Sequence, residues 1–334
     1  MKILIIKQTS LGDLLHSTIA LDAIKRKYPD AKITYLVDIS SYEIIKYNPL
    51  VYNFILFHFN MTMQLIKKNP FKVIKYFYDK IKEVRKEEYD IAFDLQGLER
   101  SVIFLYFARA KEKYVKGRYP FLKGFRNKKL HAIDEISNVL NLADIYTENI
   151  QMNLFIPYNI NEKVKNLLQS INPDNKKILV ISPFTRWETK NWGLNKFKEL
   201  IVLLKQKDYI IILTGTKEHE KELDNLIEDV DQNKIFNFAG KLSILEFCAL
   251  INNCNLLLSC ESFPVHIASA LHKRVIVLMG PTDERKIGPV NTEFRLIRAE
   301  NVNCQRCYRK KCKRMDCMKK IDAEAVYKNI VEMI

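Results

Sequence analysis

One pattern constrains this chain more than any other: short apolar runs alternate with segments whose apolar residues repeat at helical spacing. In the first half the runs read as strands at 2–6, 33–37, 53–57, 91–95 and 113–116. Helical patterns lie at about 13–27, 73–88, 98–109 and 132–143. In the second half the strands fall at 178–181, 210–214, 235–238, 256–259 and 275–279. Helices there fall at about 161–169, 195–206, 217–229, 243–252, 263–271 and 322–333. Strands separated by helices build parallel sheets from βαβ units. The runs lack polar alternation, as expected of sheets covered on both faces.

At 334 residues the chain is longer than one hydrophobic core usually sustains, roughly 250–300 residues, so two α/β domains are expected. Punctuation by Pro157, the polar stretch 159–165 and Asn172-Pro173-Asp174-Asn175 places the boundary within 152–176. The expected domains are residues 1–155 and 176–320. A last helix at 321–334 is free to pack back on the first domain. Ligands of open parallel sheets sit beyond the carboxyl ends of the strands, so chemistry should be sought in the loops that follow them.

Composition excludes several classes. A 48% hydrophobic content is that of a globular chain, not a disordered or low-complexity one. No stretch approaches the roughly 18 uninterrupted apolar residues of a membrane span. The apolar run of Met1-Lys2-Ile3-Leu4-Ile5-Ile6-Lys7 is too short for a signal peptide and reads as a buried first strand. The expected location is the cytoplasm.

The net charge of +15 is not spread evenly. Residues 100–129 hold ten Lys or Arg against one acid, and residues 303–320 hold eight against one. The rest of the chain is close to neutral. Such patches suit an anionic partner or a solvated loop. The first interleaves cations with Tyr114, Tyr119, Phe121 and Phe125, a mixture that also fits single-stranded nucleic acid. The second surrounds Cys304, Cys307, Cys312 and Cys317, spaced C-x2-C-x4-C-x4-C. Four thiolates in a short polar loop suit one tetrahedral structural zinc or iron; free thiols and disulfides are the alternatives. Cys248, Cys254 and Cys260 lie in apolar surroundings and read as buried free thiols.

The first strand ends in Gln8-Thr9-Ser10-Leu11-Gly12-Asp13. Asp13 then stands at a helix start, either as a cap or as a carboxylate available for general-base work. Here a family resemblance appears. Residues 2–13, Ala20-Leu21 and Tyr28-Pro29-Asp30-Ala31 resemble the opening of glycosyltransferase family 9, the ADP-heptose:lipopolysaccharide heptosyltransferases. Further blocks similar to the family follow in order. They are Asp94-Leu95-Gln96-Gly97-Leu98, Thr185-Arg186-Trp187 with Lys190-Asn191-Trp192, and Ala239-Gly240-Lys241. Ser262 with His266-Ile267-Ala268 and Gly280-Pro281-Thr282-Asp283 complete the set.

The resemblance implies the GT-B fold, two Rossmann-like parallel-sheet domains facing a central cleft, and metal-independent inverting transfer. It puts the catalytic base on Asp13 and the donor's phosphate contacts on Thr185 and Lys190. Glu220, rather than Glu218, falls where a carboxylate would accept ribose hydroxyls. Glu261, Ser262 and His266 complete the donor side. The sequence departs from the family where Glu261 replaces the usual Asp and Phe263 the usual Gly, which bears on donor identity. On the acceptor side Gln96, Arg100, Arg118 and Arg126 are the expected contacts to an anionic glycolipid, and nucleic acid is not expected. The apolar face at 71–88 either packs on its own domain or touches the inner membrane peripherally.

The expected activity is therefore heptose transfer from ADP-heptose to the inner core of lipopolysaccharide. A different nucleotide sugar or a protein acceptor is the nearer alternative. A catalytically silent nucleotide-sugar-binding homologue is the more distant one.

Overall fold

The computed structural model describes residues 1–149, 151–228 and 234–334. The chain divides after Phe155 into two compact units, Met1–Phe155 and Ile156–Ile334. The expected boundary region is thus largely structured. Helix Tyr158–Ile171 belongs to the second unit, tied there by the Lys163–Glu246 ion pair and by Asn252 and Asn253 donating to Asn161.

The first unit holds β1 (Lys2–Ile6), β2 (Lys32–Asp38), β3 (Asn53–Phe57), β4 (Glu88–Asp94), β5 (Arg109–Lys116) and β6 (Lys123–Phe125). They form one parallel sheet in the order β3-β2-β1-β4-β5-β6. The second unit holds β7 (Lys177–Ser182), β8 (Tyr209–Leu213), β9 (Ile235–Asn237), β10 (Leu256–Cys260), β11 (Val275–Leu278) and β12 (Phe294–Ile297). Its parallel order is β12-β11-β10-β7-β8-β9. Each is a Rossmann-like winding. The chain runs outward one way from the first strand of the unit, then crosses back and runs the other way. The order reverses between β1 and β4 in one sheet and between β7 and β10 in the other, and that reversal opens a crevice at the strand ends.

Burial explains why these runs became strands. Ile3 to Ile6, Leu179 to Ile181 and Leu256 to Leu258 are sealed on both faces. The second core also takes Phe197, Leu200 and Leu204 from helix Leu194–Leu204, and Val326, Ile330 and Met333 from the final helix, Ala323–Met333. That last helix belongs to the second unit. Its apolar stripe completes the second unit's core against helix Leu194–Leu204.

The helix expected at 13–27 is two helices, Leu11–Ser17 and Ile19–Lys27, broken where the Thr18 hydroxyl donates to the Leu15 carbonyl. The far end of the helix expected at 217–229 lies, at residue 229, outside the described residues. Cys248, Cys254 and Cys260 are buried free thiols, and burial pushes each up to about 12. Among the described residues no helix is long and apolar enough to cross a membrane.

Candidate active site

In the first unit the register sets Ile6 level with Asp94, and Asp94 level with Val115. Lys7, Asp94 and Lys116 therefore emerge at one carboxyl edge, at the reversal between β1 and β4. The loop after β1 leads to Asp13 on the first turn of helix Leu11–Ser17. The Ser10 hydroxyl donates to Asp13 Oδ2 at 3.0 Å, and the Ser10 backbone N–H at 3.4 Å. The N-cap of that helix is Ser10, and Asp13 answers it from the third helical position at the crevice, so the cap expected at Asp13 falls one turn earlier.

The charges around Asp13 matter more than the cap. Burial raises its carboxyl, but Lys7, then His16 and Lys116, outweigh that and hold it below the usual carboxylate range. Lys7 itself is only 2% exposed. Burial pushes its ammonium down to about 8, partly offset by Asp13. Lys116 is anchored 3.0 Å from Glu135. Neither lysine stood out in the sequence.

Asp94 has a different task. It is fully buried and accepts from the Gln96 and Gly97 backbone N–H groups at 2.8 and 3.0 Å and from the Ser101 hydroxyl at 2.8 Å. Burial pushes it up to about 6 despite those donors. The turn it holds needs glycine. Gly97 has φ +68°, and a Cβ there would stand 1.7 Å from the Lys116 carbonyl oxygen.

The expected acceptor residues separate. Gln96 accepts from the Thr9 backbone N–H at 3.1 Å, and Arg100 donates to the Thr9 hydroxyl at 2.7 Å while stacking 4.0 Å over Phe59. Both span the β1–β4 reversal and brace the loop that carries Asp13. Arg126 lies 3.7 Å from Glu135, and Arg118 is exposed. The basic patch itself shrinks in space. Arg109 and Lys111 pair with Glu88 and Asp90 at the amino end of the strands, away from the crevice. Lys123 pairs with Glu112. At the carboxyl end Arg118, Lys128 and Lys129 remain exposed.

The second unit repeats the design at its own reversal. The loop after β7 carries Thr185 and Lys190, and the loop after β10 carries Glu261, Ser262 and His266. Lys190 Nζ lies 2.5 Å from Glu261 Oε2, bridging the crevice between β7 and β10. Glu261 is buried and also accepts from the Thr282 hydroxyl at 2.7 Å. Thr185 folds its loop: its hydroxyl donates to the Trp187 carbonyl at 2.8 Å, and its N–H donates to the Asn191 side chain at 2.8 Å. Ser262 is the N-cap of helix Phe263–Ala270, and buried His266 lies in its first turn. Phe263 starts that helix half-buried. After β8, Glu220 begins helix Glu220–Ile227 half-buried and pairs with Lys217, whereas Glu218 is fully exposed. Phe184 and His219 stack with ring centres 3.8 Å apart, joining the loops after β7 and β8.

The four-cysteine loop is looser. Cys304 and Cys307 are exposed, Cys312 is half-buried and Cys317 is buried. Burial, then the three neighbouring thiols, push Cys317 up, while the Met315 and Arg314 N–H groups pull Cys312 down. Among the described residues no three Cys, His, Asp or Glu side chains converge closely enough to hold an ion. The zinc or iron that the spacing suggested stays an expectation for this loop, and no step below runs through a metal.

Two Rossmann-like units, each with charged loops at its strand reversal, are the architecture of a GT-B transferase. Residues 78–318 match the sequence profile described as glycosyltransferase family 9 (heptosyltransferase). The chain belongs to glycosyltransferase family 9. It is therefore a glycosyltransferase, as the sequence blocks implied. Among curated relatives, lipooligosaccharide heptosyltransferase 2 of Campylobacter jejuni is 26% identical over 345 residues, covering 100% of this chain and 99% of its own. Among solved structures, a family 9 transferase of Veillonella parvula superposes with a TM-score of 0.86 at 19% identity, covering 99% and 96% of the two chains. E. coli heptosyltransferase WaaC with ADP gives 0.77 at 20% identity, covering both chains completely.

Proposed function

We propose that this family 9 member transfers a heptose from ADP-heptose to an anionic lipopolysaccharide core acceptor, with inversion and with Asp13 as the general base. The observation that carries the reading is the Asp13 carboxylate, kept ionised at the β1–β4 reversal by Lys7, His16 and Lys116. An inverting displacement needs one such group to take the acceptor hydroxyl's proton as that oxygen attacks the anomeric carbon. The diphosphate then leaves from the opposite face. Lys190 and the start of helix Phe263–Ala270 supply the cation and donors that its growing charge requires, and Thr185 holds the turn that presents Lys190. Likeness to the Campylobacter jejuni relative and to E. coli WaaC with ADP supports heptose and adenine as the donor's parts.

The test is turnover of ADP-heptose with a heptose-deficient core acceptor, followed by mass. A gain of one heptose residue, and none with UDP- or GDP-sugars, is expected. Transfer only from a non-adenine donor would sink the heptose reading.

The acceptor's lipid also calls for a membrane surface. On helix Pro70–Val84, Val73 and Val84 face the core, while Phe71, Ile74 and Tyr78 are 80%, 65% and 56% exposed. Their spacing puts them on one stripe, flanked by exposed Lys72, Lys75 and Lys82. An apolar stripe edged with lysines suits the interface of an anionic bilayer. The protein should sediment with phosphatidylglycerol vesicles and not with phosphatidylcholine ones. Phe71→Ser with Ile74→Ser should abolish that, and equal sedimentation of the double variant would refute the surface.

A further inference from the structure

The basic cysteine loop is wound onto the donor side of the second unit, which its sequence position does not reveal. Tyr308 donates its N–H to the Pro281 carbonyl at 2.8 Å, and its hydroxyl accepts from the Asp283 N–H at 3.3 Å. Arg306 pairs with Glu284 at 2.5 Å. The Thr189 hydroxyl donates to the Arg309 carbonyl at 2.8 Å. Behind these contacts Cys317 and Met318 pack where a Cβ on Gly280 would stand, 3.2 and 2.5 Å away. The loop is therefore clasped to the segments that follow β7 and β11.

This clasp carries Lys310 to Trp187. Lys310 Nζ stands 4.9 Å from the centre of the Trp187 ring, and Lys190 Nζ stands 4.6 Å from the same centre. Two ammonium groups on one half-buried indole repel each other unless an anion joins them. Lys190 has Glu261 beside it, so that pair is close to neutral. Lys310 has no carboxylate partner among the described residues, and the exposed Arg186 and Arg309 flank it in sequence and loop. The surplus positive charge at this strand end thus rests on Arg186 and on the cysteine loop.

We propose that Lys310 is a second cation for the donor's diphosphate, delivered to the Trp187 ring by the cysteine loop and acting beside Lys190. This rests on the donor reading above and adds to it a residue outside the family-like blocks. A departing diphosphate is a multiply charged anion, and one already paired lysine neutralises little of it. An exposed lysine on a clasped loop can close onto the phosphates when the donor binds and withdraw when the nucleotide leaves. The proposal assigns Lys310 to the β-phosphate, which ADP carries and AMP lacks, so the two nucleotides separate its contribution.

The experiment is calorimetric titration of ADP and AMP into the full chain, its Lys310→Met variant and its Lys310→Arg variant. Trp187 fluorescence serves as a second readout, since Trp192, the other tryptophan, is buried. Lys310→Met should bind ADP about five- to tenfold more weakly, as loss of one exposed charge-assisted contact implies. Its AMP affinity should change less than about twofold, its unliganded melting temperature should hold, and Lys310→Arg should recover ADP affinity. Wild-type-like ADP affinity in Lys310→Met, or equal loss for ADP and AMP, overturns the inference alone. If the wild-type chain binds neither nucleotide, the donor reading fails and this inference fails with it.

Discussion

Replacing Asp13 by Asn should leave a folded protein that still binds nucleotide but turns over about a thousandfold more slowly. The amide keeps the shape and can still accept from the Ser10 hydroxyl, so the helix cap survives. What it loses is the ability to take a proton. Lys7, His16 and Lys116 around Asp13 set the sign of the pH dependence. They depress the folded carboxyl, so its charge, and the stability that charge contributes, persist above the ordinary carboxylate range and disappear only as pH falls through the depressed value. The acid limb of kcat/KM should therefore lie lower than an unperturbed aspartate would give. Lys7→Met removes the cation with the largest effect on Asp13 and should shift that limb upward without removing activity at neutral pH. Single-turnover rates by mass and nucleotide affinity by calorimetry measure the two variants. An Asp13→Asn protein that loses ADP affinity as fully as it loses rate would remove Asp13 from the role of base.

The influence of Lys7 on Asp13 also marks where sequence reading stops. Each of the ten expected runs falls on a strand, most of them because two-sided burial makes unbroken apolar runs; β5, charged and largely exposed, is the exception. The missed strands, β6 and β12, are sheet edges. Lys123–Phe125 contains glycine and lysine, and Phe294–Ile297 is half exposed, so neither writes an apolar run. The strand-end placement of Asp13, Lys190 and Glu261 was legible because each follows an apolar run. Lys7 was not: in a strand covered on both sides, nothing local tells a buried terminal lysine from a solvated one. Lys116 and Lys310 depend on pairing between strands and on a loop clasp, both long-range. The charge count misled in the same way. A window of ten cations looked like one acceptor surface, but β5 runs through it and sends Arg109 and Lys111 to the far end of the sheet.

The second large effect belongs to Lys190. Lys190→Met should lower both stability and rate, and the two losses can be separated. The Lys190–Glu261 pair is nearly buried, and removing the cation leaves a buried carboxylate with, among the described residues, only the Thr282 hydroxyl. Breaking one side of such a pair costs about 3–5 kcal/mol unless the acid takes up a proton. Adding Glu261→Gln removes the stranded charge and keeps an acceptor for Thr282, so the double variant should regain most of the lost melting temperature. It should not regain turnover, because the developing diphosphate charge still lacks its lysine, a deficit of about 10²–10³ in rate. Thermal unfolding and kcat on the single and double variants decide it. A double variant that recovers activity along with stability would make Lys190 a structural partner of Glu261. One that recovers stability alone, while Glu261→Gln by itself keeps turnover, identifies Lys190 as the cation that the leaving group needs.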